Sequence, residues 1–143
     1  MDKEASGKLY KDGDIILEEG SHGREMYIIQ SGKVVVSQGS AHGERVVSEL
    51  CEGEVFGELS ILDERPRYAT VRAVGETRVT AIDKDAFLKW LKKDPGLALT
   101  VMHRMANKMR RLDNRLALAL DKIDSARAVL SHDRDILGLG GIT

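Results

Sequence analysis

The chain has 143 residues, with 22 Lys and Arg against 23 Asp and Glu, for a formal net charge of -1 at pH 7. That length favours one domain and suffices to bury a core, while the near-zero charge excludes bulk attraction to nucleic acid or to an anionic membrane. No apolar run approaches membrane-spanning length, Met1-Asp2-Lys3-Glu4 lacks a signal-peptide core, and the single cysteine, Cys51, excludes an internal disulfide framework, so a cytoplasmic protein is expected.

From Lys8 to Ile82 the pattern is that of short β-strands. Apolar runs bounded by turn residues fall at Asp14-Ile15-Ile16-Leu17, Met26-Tyr27-Ile28-Ile29, Val34-Val35-Val36, Arg45-Val46-Val47, Thr70-Val71-Arg72-Ala73 and Thr77-Arg78-Val79-Thr80-Ala81-Ile82. Strands of such even, short spacing predict a sandwich or barrel. Gln38 to Gly43 reads as a hairpin loop between Val36 and Val46.

Among these strands lies the stretch that says most about function, Phe56 to Ala73. A Gly57-Glu58-Leu59 turn is followed by Pro66-Arg67 and then by a β-rich run. An arginine supplies a planar, permanently charged fork that fits a phosphate diester. A glutamate accepts two hydrogen bonds from hydroxyls, and a glycine lets backbone N–H groups approach an anion with no Cβ in the way. Arg67 and Glu58 would thus bind opposite ends of one small ligand bearing a phosphate and a sugar. The plainer alternatives are a surface turn carboxylate for Glu58 and a surface salt bridge from Arg67 to Asp63 or Glu64, which would contribute little.

From Asp83 the pattern turns helical. Asp83 is an expected N-cap for a short helix near 84–92 that buries Phe87, Leu88 and Leu91. Asp94 and Pro95 mark a second helix start, a cap followed by proline at the first position. The second helix carries apolar or small residues at Ala98, Met102, Met105, Met109, Leu112, Leu116, Ala119, Ile123, Ala126 and Leu130. Their spacing alternates between four and three, the a/d seam of a coiled coil. A helix from Asp94 to Leu130 would span roughly 55 Å, and its C-terminal half needs a partner, expected to be a second copy in a parallel homodimer. The alternative is one amphipathic helix packed entirely on its own domain. Three segments result: 1–93, 94–130, and a flexible tail 131–143 with Gly138, Gly140 and Gly141.

Residues 56–69 resemble the phosphate-binding cassette of the cyclic nucleotide-binding domain family. That family includes catabolite activator proteins, regulatory subunits of cAMP-dependent protein kinase and cyclic-nucleotide-gated channels. The resemblance covers about residues 8 to 115. Spaced glycines extend it: Gly13-Asp14 opening the first strand, Glu19-Gly20 ending it, Ser31-Gly32 making the next tight turn, and Gly53 and Gly57 bracketing the start of the cassette. It implies an α+β, mainly β fold, an antiparallel β-roll or jelly-roll barrel followed by a short helix and a long C-terminal dimerisation helix. It also implies cAMP or cGMP as ligand, with no metal.

By the same resemblance, Glu58 matches the glutamate that binds the ribose 2′-hydroxyl and Arg67 the phosphate arginine. Gly57 and Leu59 match positions whose N–H groups face phosphate or ribose, and Ala69 a small residue whose N–H also faces the phosphate. Tyr68 departs from the family's Ala, Ser or Thr after the arginine. Its ring could turn outward and leave only its backbone N–H at the phosphate, lie along the ligand, or block the pocket; the outward ring is expected, since the rest of the cassette keeps its binding residues. Val36 and Val47 align with apolar positions that flank the purine, or are plain strand core. Arg115 is the residue of the long helix expected to stack on the base and donate to it.

The leading expectation is a cyclic nucleotide-binding regulatory module, not an enzyme, that signals through helix rearrangement to an unknown effector protein. Transcription factors of the family follow the long helix with a helix-turn-helix module. Ser131 to Thr143 has no pattern long enough for one, so no direct DNA binding is expected, nor membrane association. A cupin-type metal enzyme would need clustered histidines with a carboxylate, whereas His22, His42, His103 and His132 are dispersed. A third class is a scaffold whose pocket has degenerated and whose coil alone works.

Overall fold

The computed structural model describes residues 7–136. The chain divides into two compact units, Met1–Arg104 and Met105–Thr143. In the first, β1 (Lys8–Tyr10), β2 (Ile15–Leu17), β3 (Glu25–Ser40), β4 (Gly43–Cys51), β5 (Val55–Phe56), α1 (Glu58–Asp63), β6 (Thr70–Asp83) and α2 (Lys84–Lys93) follow in chain order. The strands pair antiparallel in the order β1-β6-β3-β4, with β2 on β6 and β5 on β3. This is the mainly β roll with following helices that the strand pattern and the resemblance imply.

The core follows from alternation along the strands, which sends every second side chain inward. Val34 and Val36 of β3, Leu50 of β4, and Val71, Ala73 and Val79 of β6 are buried. The rings of Tyr27 and Phe56 stack with centroids 5.0 Å apart. Val36 belongs to this core, and Val47 packs half-buried against it.

The two central strands are longer than expected. Met26–Ile29 and Val34–Val36 form one strand, and Thr70–Ala73 and Thr77–Ile82 form another. Ser31-Gly32 is therefore not a tight turn. It lies within β3, where the β3–β6 register shifts on either side of Ser31. Such irregularities let a strand bend without ending. Gly32 has φ +85°, and a Cβ on it would lie 2.5 Å from the Glu76 carbonyl oxygen and 2.7 Å from Thr77 Oγ1. Thr77 is fully buried and donates from Oγ1 to the Lys33 carbonyl at 2.9 Å, so the bend closes on itself. The hairpin is also tighter than predicted: β3 runs to Ser40 and β4 starts at Gly43, leaving Ala41-His42 as the turn. The Gly57-Glu58-Leu59 turn is the start of a helix, α1, with Gly57 at its N-cap in the left-handed region, φ 77°.

Both predicted helix caps form. Asp83 Oδ1 accepts from Ala86 N at 2.7 Å, and Asp94 Oδ1 accepts from Leu97 N at 3.2 Å. Of the three α2 residues expected to be buried, Phe87 and Leu91 are half-buried and Leu88 is exposed. The long helix α3 (Pro95–Ile136) has 42 residues and continues past Leu130. In its first turns Val101 is buried while Met102 is exposed, so burial there falls one residue from the expected seam. From Met109 to Leu130 the seam side chains are exposed. Residues 131–136 of the expected tail continue α3, while 137–143 lie outside the described residues, as does Met1-Asp2-Lys3-Glu4. Among the described residues no helix is long and apolar enough to cross a membrane.

Gly32 and Gly43 separate two effects, because both have positive φ but only Gly32 has neighbours in the Cβ position. Gly43→Ala should cost about 1 kcal/mol, from backbone strain alone. Gly32→Ala should cost about 3 kcal/mol or more, since strain and a clash with buried backbone add. Urea denaturation of both variants checks this; equal losses would mean that the β3 bend does not depend on close approach.

Candidate functional site

Arg67 lies in the extended segment between α1 and β6. Its backbone is fixed on both sides, with Arg67 N donating to the Ser21 carbonyl at 2.8 Å and Gly20 N donating to the Arg67 carbonyl at 2.7 Å. Its side chain turns inward and is only 5 % exposed. Nη1 donates to the Gly57 carbonyl at 3.0 Å, and Nη2 to the Glu25 carbonyl at 2.8 Å. These bonds use two of the five guanidinium donors. Two glycines make the slot. A Cβ on Gly57 would lie 3.0 Å from Nη1, and one on Gly23 would lie 2.6 Å from Nη2.

The carboxylates once open as partners for Arg67 are engaged elsewhere. Asp63 lies 4.0 Å from Arg65, and Glu64 binds both Arg24 and Lys84 at 3.2 Å. Lys84, then Arg24, hold the exposed Glu64 carboxyl below the ordinary carboxylate range. Among the described residues Arg67 forms no salt bridge. The plainer alternative for Arg67, a surface ion pair, is therefore excluded among the described residues: the side chain is buried and its described partners are main-chain carbonyls.

Glu58 is the first residue of α1 and is buried, 8 % exposed. It is not a surface turn carboxylate. Gly57 and Glu58 thus stand together at the start of α1, with the Gly57 carbonyl on Arg67. Leu59, next along, is exposed. Tyr68 leaves its ring about half exposed, while its carbonyl accepts from Gln38 Nε2 at 2.9 Å. Ala69 is buried. Val36 sits in the strand core, and Val47 is the β4 residue skipped where the β3–β4 register shifts. Arg115 is an exposed residue of α3 in the second compact unit.

The surroundings are tightly specified. The Tyr27 hydroxyl donates to Glu25 Oε2 at 3.0 Å. Burial, reinforced by the Glu25 carboxylate, pushes the Tyr27 phenol well above its ordinary range. Tyr27 therefore stays neutral and keeps donating to Glu25, the residue whose carbonyl receives Arg67. Among the described residues no three His, Cys, Asp or Glu side chains gather as metal ligands.

Comparison with known proteins identifies the family. Residues 8–94 match the family model of the cyclic nucleotide-binding domain. The chain is 33% identical over 106 residues to the CRP-like cAMP-activated global transcriptional regulator of Mycobacterium tuberculosis, covering 73% of this chain and 47% of that protein. It is 42% identical over 82 residues to the cAMP-dependent protein kinase regulatory subunit of Dictyostelium discoideum, covering 54% of this chain and 25% of that one. Among solved structures it is similar to the Thermus thermophilus catabolite activator protein, with a TM-score of 0.65 and 33% identity over 82% of this chain and 54% of that chain. The chain belongs to the cyclic nucleotide-binding domain family. It spans about half the length, or less, of these relatives.

Three contributors to the site escaped sequence reasoning: Ser21, Gly23 and Glu25. Ser21 and Glu25 act through main-chain carbonyls, and Gly23 through the side chain it lacks. Only Gly23, in the polar loop Gly20-Ser21-His22-Gly23, leaves a trace in the sequence. Gly23 does not have positive φ, so alanine there is free of backbone strain. Gly23→Ala should displace the guanidinium from its carbonyls at some cost in stability while the chain stays folded. Cyclic nucleotide affinity measured by calorimetry should fall about tenfold, roughly 1.4 kcal/mol. Full affinity in this variant would mean that the guanidinium is free to move aside.

Proposed function

We propose that this chain binds a cyclic nucleotide and acts as a regulatory binding module, not as an enzyme. The observation that carries the reading is Arg67. A buried guanidinium whose described partners are two neutral carbonyls is an incompletely compensated charge, and a buried charge is costly unless paired. An anion completes it. A cyclic phosphodiester offers one negative charge on two oxygens, a match for the guanidinium fork. Glu58, buried and adjacent to Gly57, is the acceptor for the ribose 2′-hydroxyl. Two of the relatives named above are cAMP-activated or cAMP-dependent by name, and cAMP is accordingly the first ligand to test, with cGMP second. The half-exposed Tyr68 ring supports a role limited to its main chain.

Calorimetric titration with cAMP, cGMP and cyclic dinucleotides tests the reading. Arg67→Ala should weaken binding by about 1.5–3 kcal/mol, the range for a charge-assisted hydrogen bond, or by more if the contact is bidentate. Glu58→Gln should weaken binding and reduce discrimination against the 2′-deoxy analogue. Wild-type affinity in Arg67→Ala would remove the arginine from the phosphate.

The output of such a module runs through helices and a partner. Met109, Leu112, Leu116, Ile123 and Leu130 are exposed along α3 at seam spacing, and a parallel two-helix homodimer would bury them. Ligand-dependent rearrangement of the helices after β6 would shift the population between two arrangements, read by an effector protein. Leu116→Asp with Ile123→Asp should convert a dimer to a monomer in sedimentation velocity, since the charges would sit in an apolar interface. A wild-type chain that is monomeric at micromolar concentration would exclude the seam as a self-association surface.

A further inference from the structure

We propose that Gln38 is a positioning residue for the anion site, an inference that rests on the cyclic nucleotide reading above. The β3–β6 ladder stops at the pair Ser37 and Thr70. Gln38 is the next β3 residue, half-buried, and its side chain takes over where the ladder ends. Nε2 donates to the Tyr68 carbonyl at 2.9 Å.

The backbone bonds around this point are unevenly distributed. Arg67 uses both its N–H and its carbonyl on Ser21 and Gly20. Thr70 Oγ1 accepts from Glu19 N at 3.0 Å, and Glu19 Oε2 accepts from Gly39 N at 3.0 Å, so the end of β3 also braces the strand on the other side. Between them, the Ala69 N–H makes no backbone hydrogen bond among the described residues. Ala69 is nevertheless buried, 4 % exposed. A buried N–H without an acceptor is rare and costly, and it points to an acceptor supplied from outside the chain.

The Tyr68 carbonyl and the Ala69 N–H belong to one peptide unit. In a trans peptide these two groups point in opposite directions. By holding the carbonyl, Gln38 turns the Ala69 N–H away from β3 and keeps it unspent. The burial sequence Arg67 in, Tyr68 out, Ala69 in places Ala69 and Arg67 on one side of the segment. On the cyclic nucleotide reading, the N–H held in this orientation and the guanidinium are two donors for the phosphate. Without Gln38 this carbonyl loses the hydrogen bond that sets its direction, and the peptide is held only through its neighbours Arg67 and Thr70.

The test uses the full chain with Gln38→Ala and Gln38→Glu. The first removes the contact. The second keeps the length but replaces the amide donor with a carboxylate that repels a carbonyl. Binding of cAMP and cGMP, and of their Rp and Sp phosphorothioate analogues, is measured by calorimetry, with unfolding temperature measured in parallel. Both variants should bind about three- to tenfold more weakly, the size of one neutral hydrogen bond. They should also lose part of the wild-type preference between the two diastereomers, because one phosphate oxygen loses its directed N–H. The unfolding temperature should stay within error. Wild-type affinity and diastereomer preference in both variants would overturn the role of Gln38 and leave the cyclic nucleotide reading intact. Weaker binding with unchanged diastereomer preference would also overturn it, as the behaviour of a merely structural contact. A wild-type chain that binds none of these nucleotides would overturn the functional reading and the inference with it.

Discussion

The first unit is organised around one buried cation. The Arg67 guanidinium reaches the carbonyls of Gly57 and Glu25, 10 and 42 residues away in sequence, and its own backbone is tied to Gly20 and Ser21. Removing a guanidinium from water costs several kcal/mol, whereas a hydrogen bond from a charged group returns about 1.5–3 kcal/mol. Two carbonyl bonds offset much of that cost but, among the described residues, leave guanidinium donors unused. The protein therefore holds the arginine in place without satisfying it. A long side chain held this way has already lost its rotamer entropy, so an incoming anion does not bear that cost again.

The same segment that receives the guanidinium also meets the helices. Gly23 and Glu25 contact Arg67, and between them the Arg24 carbonyl accepts from Lys84 N at 3.1 Å. Lys84 is the first residue of α2. Three consecutive residues thus have Arg67 on their two ends and the start of a helix in their middle. Under the proposed function, a shift of this backbone on anion binding would be felt at Lys84. The contacts are contiguous, main-chain and short, one of the physical routes by which a site can be coupled to a helix.

Sequence and structure agree where side chains carry the information. Short apolar runs bounded by turn residues marked the strands, aspartates marked both helix starts, and the arginine and glutamate of the cassette stood out by chemistry. They part where the backbone carries it. A glycine flanked by apolar runs reads equally as a turn or as a bend within a strand, and Gly32 proved to be the bend because Glu76 and Thr77 fill its Cβ position. Such a neighbour, 44 residues away, has no local signature. The helix α1 was read as a turn because six residues give too little periodicity to register. The carbonyls of Glu25 and Ser21 are invisible for a simpler reason: every residue has one.

Glu64 shows how magnitudes separate stability from position. It ends α1 in the left-handed region, φ 57°, where it is the one non-glycine residue with positive φ among those described. That conformation costs an L-residue about 1 kcal/mol, which glycine would avoid. Its ion pairs to Arg24 and Lys84 are exposed, and pairs of that kind contribute about 0–1 kcal/mol. The two effects nearly cancel, so net stability does not account for a glutamate here. Its placement does. Glu64 is where the end of the cassette helix, the loop that seats Arg67 and the first residue of α2 meet through one carboxylate. A glycine would hold the chain as well and join none of them.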